Sequence, residues 1–280
     1  MSVVGFSEGF HDAAICRISN DNILHASHAE RYSKIKNDKW LHKDQLEVND
    51  CLGLKKPIIA YHEKTWLKNT RRLYTLRSWK NDKTSLDYDK SFYHHESHAA
   101  AGYYTAPFDD CNILVIDSVG EWDTISIWDN MKKIKSYKYP YSLGLLYSAI
   151  TQYIGLKPNE DEYITMGMAA FGEPSVNLDH LLWENNHFGI AKLRPAVGLA
   201  KKQDLAASVQ ALYEKKLLEL VKKCPKKNLI IMGGCALNCV ANSKIKNKNI
   251  WIMPSPGDAG NALGAAALVH KKKLKWKHPY

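Results

Sequence analysis

The chain has 280 residues, enough for one large domain or two smaller halves on a common core. Its 45% hydrophobic and 24% charged residues are ordinary for a folded protein, and no run approaches the roughly 18 apolar residues of a membrane helix. Lys and Arg number 39 against 29 Asp and Glu, a net of +10, which points to anionic partners. The start, "MSVVGFSEGF", has no basic leader or apolar block, so a cytoplasmic protein without a membrane partner is expected. Six cysteines lie scattered, mostly in apolar runs, as reduced thiols do. Only Cys235 and Cys239 are close, and no second pair completes a zinc site.

Strand and helix signals alternate. "SVVGFS", "DAAICRIS" and "NILHASHA" read as three short strands, and "PIIAYH" as another between helical stretches. "HHESHAAAGYY" is a helix rich in Ala. "CNILVIDS" is a buried strand that "DTISIWDN" and "KKIKSYKY" continue as hairpins. "SLGLLYSAITQYIGL" has helical spacing after a Ser start. Pro174 and Gly189 bracket an irregular segment, and an amphipathic helix is expected over about 203–224. Strands "NLIIMGG" and "NIWIMPS" and the small-residue helix "DAGNALGAAALVH" follow.

One motif recurs. "SEGFHDAAI" (7–15) and "SVGEWDTIS" (118–126) share Ser-x-Gly-x-x-Asp, 111 residues apart, each after an apolar strand and before another. Gly9 and Gly120 permit sharp hairpins whose amides can face an anion. Two α/β halves with such hairpins describe a duplicated actin-like ATPase fold (ASKHA) around a nucleotide and metal cleft, with expected halves 1–110 and 111–280.

His94 and His98 are four apart, so a helix projects both from one face, where they can share a metal or simply face solvent. Asp117 ends an apolar strand, where a carboxylate is costly unless paired or bound to a cation. Asp258 opens the last helix. Two His and two Asp suit iron, manganese or magnesium. "IIMGGCALN", with Gly233 and Gly234, runs a strand into a helix start suited to phosphate or ribose, and Gly257 belongs to a second glycine-rich turn. Neither a Rossmann nor a Walker motif is present. His11, beside Asp12 on the first hairpin, can meet a phosphate or act as a base. Arg31, Lys34 and Lys36 can neutralise an anionic substrate, or form only a charged edge.

In order, "HDAAI", "ERYSKIK", "HHESHAAAGYY", "VIDSVGEWDT", "SLGLLYSAIT", "EYITMGMAAFG", "MGGCALN" and "SPGDAGNALGAAA" resemble the O-carbamoyltransferase family of nodulation and aminoglycoside-carbamoylating enzymes. That family's core is similar to the enzymes of tRNA threonylcarbamoyladenosine formation. The resemblance implies metal ligands His94, His98, Asp117 and Asp258, with iron(II) ahead of Mn2+ or Mg2+. It implies ATP at Gly120, Gly233, Gly234, Asn238 and Gly257. It also implies carbamoyl phosphate or its adenylate beside His11, Asp12, Arg31 and Lys36. An acceptor hydroxyl would attack the carbamoyl carbon, with His11, or else Asp161 or Glu162, taking its proton. Two departures stand out. The family's members are about twice as long, with a further domain that makes carbamoyl-adenylate, so this core either makes the intermediate itself or receives it from a separate protein. Ile164 stands where the family usually has Lys.

Two segments bear on the acceptor: "LKNTRRLYTLRSWKNDK" (67–83), interleaved with Tyr74 and Trp79, and the tail "HKKKLKWKHPY" (270–280). They suit nucleic acid, or are a solvated helix face and a frayed end. The expected acceptor is the hydroxymethyl group of a modified pyrimidine such as 5-hydroxymethylcytosine or 5-hydroxymethyluracil in DNA or RNA. The alternatives are a sugar or small-molecule hydroxyl, a tRNA threonylcarbamoyl transfer, or a scaffold subunit without catalysis.

Overall fold

A computed structural model describes residues 2–51, 56–76, 78–79, 83–184, 198 and 200–275. β1 (Ser2–Ser7), β2 (Ala14–Ser19) and β3 (Asn22–His28) form two successive hairpins. Val3, Val4, Phe6, Ile15, Cys16 and Ile18 are buried, so β1 and β2 read as continuous apolar runs covered on both faces. After α1 (Glu30–Ser33) and α2 (Lys43–Cys51), the chain returns as β4 (Ile58–Tyr61), parallel to β1. α3 (Thr65–Leu76) then leads to β5 (Lys90–Ser91), parallel to β4. The sheet order is β3-β2-β1-β4-β5.

The second sheet repeats this plan. β6 (Asn112–Ile116), β7 (Asp123–Asp129) and β8 (Lys132–Lys138) form hairpins, and β9 (Asn228–Met232) and β10 (Asn249–Trp251) add parallel strands, in the order β10-β9-β6-β7-β8. The two Ser-x-Gly-x-x-Asp motifs fall at equivalent turns, β1–β2 and β6–β7. The insertion between β8 and β9 carries α5 (Leu143–Tyr153), α6 (Glu162–Met168) and α7 (Lys202–Val221). α7 ends three residues before the expected 224, because Pro225 cannot continue a helix and restrains the residue before it. Gly189, the expected far end of the irregular segment, lies outside the described residues. α8 (Cys239–Asn242) joins β9 to β10.

Equivalent helices follow the two sheets: α4 (His94–Thr105) after β5 and α9 (Gly260–His270) after β10. They meet backbone to backbone. A Cβ on Gly264 would lie 1.9 Å from the Ser97 carbonyl oxygen, and one on Gly5 would lie 2.0 Å from that of Ala262. Ala99, Ala101, Ala262 and Ala266 share one core with Val3, Ile113 and Met232, from both sheets. The alanines after His98 therefore join the two halves in the core; they do not wall the cleft. α4 is buried along most of its length, so the solvated-face alternative for it falls. Among the described residues, no helix is long and apolar enough to cross a membrane.

Candidate metal centre and cleft

The start of α4 is held by a buried carboxylate. Glu121 Oε1, from the second hairpin, accepts the backbone N–H groups of His94 and Lys64, both at 2.9 Å. It satisfies two donors and places negative charge at the helix N-terminus. This fixes the rotation of α4 and with it the two histidines four residues apart.

His94 Nε2 and His98 Nε2 lie 3.1 Å apart. Asp117, just past β6, puts Oδ2 3.1 Å from His94 Nε2, and Asp258 Oδ1 lies 3.3 and 3.4 Å from the two imidazoles. All four are buried, with one donor atom from each inside a 4.8 Å span. Burial alone would raise both carboxyl pKa values, but the histidines hold Asp117 and Asp258 far below the carboxylate range. Burial would depress His94, yet Asp258 and Asp117 hold it well above the usual imidazole value. Two ionised carboxylates out of water need compensating positive charge, and the N2O2 donor set matches a borderline or hard divalent cation. The residues fit such an ion. His95 is excluded: its Nδ1 bonds Ser126 Oγ at 2.9 Å, and burial keeps the ring neutral.

A cavity of about 320 Å³ opens beside Asp117 and Asp258. The first half contributes His11, Asp12, Lys36 and Asn37; the second contributes Gly144, Tyr147, Ser148, Glu162, Tyr163, Gly234, Asn238 and Gly257. Parallel strands β1, β4, β6 and β9 end toward this region, where open α/β sheets bind ligands. His11 Nδ1 is 2.8 Å from Asp12 Oδ2, and its Nε2 is 3.8 Å from Asp258 Oδ2. Burial works against the imidazolium, but Asp12, Asp258 and Asp117 together push the His11 pKa up to about 9. In this carboxylate cage the ring holds its proton, and the base role expected of it requires that negative charge to be taken up elsewhere.

Several expected residues stand apart from the cavity wall. The Asp161 carboxylate accepts the Lys157 N–H at 2.9 Å and closes its own loop. Glu162 does line the cavity, where it accepts Ser148 Oγ at 2.6 Å and the Asn159 N–H at 2.7 Å. The Arg31 side chain is 77% exposed beside Glu30, and Lys34 Nζ bonds the Arg31 carbonyl. Lys36 reaches across the cleft to Glu160 at 3.8 Å. Gly120 packs against α4: a Cβ there would lie 3.0 Å from His94 Cβ. Gly233, at φ +92°, lets the chain pass the Ile116 carbonyl, which a Cβ would approach to 2.2 Å. Gly234 and Gly257 face each other on the wall, and the Gly234 N–H lies 3.3 Å from Asp117 Oδ1. The Ile164 position is on α6, whose preceding residue Tyr163 lines the cavity.

Other participants went unnoticed in the sequence. Asn238 exchanges amide hydrogen bonds with Gln210 of α7, which also accepts Tyr147 OH at 2.8 Å. A polar Gln210 beside Val209 in the apolar stripe was the available signal. His62, just past β4, is 4% exposed, has neither ring nitrogen paired among the described residues, and lies 5.5 Å from the His94 ring; burial lowers its pKa to about 4.

Two basic residues of the expected nucleic-acid segment point inward. Lys68 is buried in an ion pair with Glu63, and Arg71 donates to the Glu121 carbonyl at 2.6 Å. Tyr74 and Trp79 are exposed, while Arg77 and residues 80–82 lie outside the described residues. In the tail, Lys273 donates to the carbonyls of Tyr103 and Ala106, and residues 276–280 lie outside the described residues.

Residues 58–184 and 180–267, most of the chain, match the family described as the carbamoyltransferase N-terminus. The chain belongs to that family. It is 31% identical to an uncharacterized protein of Synechocystis sp., over 98% of this chain and 57% of that protein. It is 28% identical to the nodulation protein NolNO of Sinorhizobium fredii, over 63% of this chain and 30% of that protein. The carbamoyltransferase-family chain thus spans about half or less of the curated relatives it matches. Among solved structures, the activator of the 2-hydroxyisocaproyl-CoA dehydratase from Clostridium difficile aligns with a TM-score of 0.58 at 15% identity, over 99% of this chain and 100% of that one. Full-length HypF aligns at 0.54 and 13% identity, over 96% of this chain and 46% of that one. These likenesses establish the duplicated actin-like fold.

Proposed function

We propose that this carbamoyltransferase-family chain transfers a carbamoyl group to an acceptor hydroxyl in the cleft between its halves. The observation that carries the reading is the buried His94–His98–Asp117–Asp258 cluster opening onto a cavity that His11 enters from the opposite half. In the proposed sequence, water releases phosphate from carbamoyl phosphate, and the carbamate oxygen then bonds the α-phosphorus of ATP as pyrophosphate leaves, giving carbamoyl-adenylate, made by this chain or supplied by a separate protein. The acceptor oxygen then bonds the carbamoyl carbon as AMP leaves, giving an O-carbamate. His94, His98, Asp117 and Asp258 would hold a divalent ion, iron(II) or else Mn2+ or Mg2+, which supplies Lewis acidity toward phosphate and carbonyl oxygens. Gly234 and Gly257 let phosphate approach the backbone, and the Asn238–Gln210–Tyr147 network shapes the nucleoside wall. Asp12 engages His11 Nδ1, and with the charge of Asp117 and Asp258 taken up by the cation they would hold, Nε2 is free to lose its proton and accept that of the acceptor hydroxyl. Lys36 offers positive charge to the leaving phosphate.

We take the acceptor to be a hydroxymethylpyrimidine in DNA or RNA, which suits the +10 charge better than a cationic aminoglycoside does. Labelled carbamoyl phosphate and ATP, supplied with iron(II) or Mn2+, are offered with hydroxymethylcytosine DNA, hydroxymethyluracil DNA and free sugars. Mass spectrometry should find one added carbamoyl group on the base. Transfer to sugars alone would sink the acceptor assignment. Full activity in His94→Ala would sink the metal-cleft reading.

A further inference from the structure

The strongest unassigned feature is the outer edge of the second sheet. β8 is an edge strand, and within seven residues it carries Lys132, Lys133, Lys135 and Lys138, all exposed. Lys222 and Lys223, just past α7, join them: Lys223 Nζ donates to Tyr137 OH at 2.6 Å. Lys135 and Lys223 both sit over the Tyr137 ring, at 5.2 and 5.3 Å. From Tyr137 an aromatic row continues through Tyr141 at 5.6 Å to Trp183 at 4.9 Å, and Trp183 is 65% exposed. Tyr141 stands just before α5, whose Gly144 and Tyr147 line the cavity.

The contrast with α3 gives this edge its meaning. There Lys68 is paired with Glu63 and Arg71 is held by the Glu121 carbonyl, both buried. Among the described residues, no carboxylate pairs with Lys132, Lys135, Lys138, Lys222 or Lys223. Lysine on an edge strand also blocks unwanted strand pairing, but that role does not account for Lys222 and Lys223 arriving from a helix end. Here Lys135 from the strand and Lys223 from the helix end meet at the first ring of the row, with Lys132, Lys138 and Lys222 near them in sequence, as in proteins that track a single strand by phosphate contacts and base stacking.

We propose that the β8 edge, with Lys222, Lys223 and the Tyr137–Tyr141–Trp183 row, binds single-stranded nucleic acid and leads it toward the cleft. The inference rests on the nucleic-acid acceptor reading, but it has its own test. Binding of a labelled mixed-sequence DNA strand is measured by anisotropy across a salt series, with the duplex and an acidic peptide as competitors. Charge reversal in K135E/K138E/K223E should weaken binding at least tenfold. It should also flatten the log–log salt slope by about 0.7 for each phosphate that is no longer neutralised. Trp183→Ala should weaken single-strand binding about tenfold and leave the slope unchanged. If the triple variant fails to fold, Lys138→Gln alone should flatten the slope by about 0.7, the share of a single phosphate. Unchanged affinity in these variants, or equal competition by duplex or acidic peptide, overturns the proposal. Turnover of a free hydroxymethylpyrimidine nucleoside without strand binding overturns the surface but leaves the acceptor reading standing. Charge-sensitive strand binding without carbamoyl on any hydroxymethyl base upholds the surface and sinks the acceptor reading.

Discussion

The two Ser-x-Gly-x-x-Asp hairpins share a motif and a place in the sheet, yet they do opposite work. In the first, the residue before the shared Asp is His11, which enters the cavity with Asp12. In the second it is Trp122, whose Nε1 donates to Thr70 Oγ1 of α3 at 3.2 Å, while Asp123 pairs with Lys133 at 3.0 Å. Where the first hairpin has exposed Phe10, the second has buried Glu121, which caps α4 at His94. One copy faces the cavity and the other caps the helix that carries His94 and His98. A duplicated frame supplies two equivalent turns, and the side chains at the tip decide which lines the cavity and which supports α4.

The contrast is tested most sharply at its tips. His11→Ala should cost roughly 10²–10⁴-fold in carbamoyl turnover with an unchanged melting temperature. Trp122→Phe should cost about 1 kcal/mol of stability and leave turnover at the wild-type level. Equal turnover losses in both variants would erase the distinction.

The next effect concerns α3, which touches both hairpins. Lys68 Nζ would lie 3.8 Å from a Cβ on Gly9, and Arg71 bonds the Glu121 carbonyl. Burial would raise the Glu63 carboxyl, but Lys68 holds it below the carboxylate range. Its contribution to stability is therefore present above the unfolded carboxylate pKa and fades as pH falls below it. Lys68→Met should cost about 3–5 kcal/mol at neutral pH by stranding the charge. It should also flatten the pH dependence, because Lys68 is the largest of the groups that lower this pKa, ahead of His62 and His94. Thermal melts across pH check both parts.

The glycines of the two motifs separate the hairpins at smaller scale. Gly120→Ala brings a Cβ against His94 and His95, so it should cost about 1–3 kcal/mol and weaken the Mn2+-induced thermal shift. Gly9 instead needs its φ of +97°, with no atom nearer than 3.8 Å to an added Cβ. Gly9→Ala should cost only about 1 kcal/mol and leave the metal response intact.

Much of this was legible in one dimension because short-range patterns carried it. Apolar runs gave the strands, the repeated motif exposed the duplication, and the His94–His98 spacing set two imidazoles on one helix face. The basic segment 67–83 was only half legible, since charge in a sequence carries no record of whether Lys68 or Arg71 points inward while Tyr74 and Trp79 stay exposed. His62 was missed for the converse reason, that nothing local marks it as buried beside a site, whereas Gln210 carried a signal in the apolar stripe of α7 that went unread. Gly120 and Gly233 look like ligand-facing glycines in sequence, and both serve close packing.

By itself the sequence determined the strand and helix periods, the two-fold repeat and the residue types able to bind a cation. Those depend on neighbours within a turn or a hairpin. Only the tertiary structure decided that Asp117 and Asp258, 141 residues apart, meet His94 and His98 within one 4.8 Å span. The same packing placed His11 across from them and left the β8 lysines other than Lys133 without carboxylate partners among the described residues. Convergence of that kind comes from α4 and α9 pressing backbone against backbone between two sheets, and no local pattern encodes a meeting of segments so far apart in the chain.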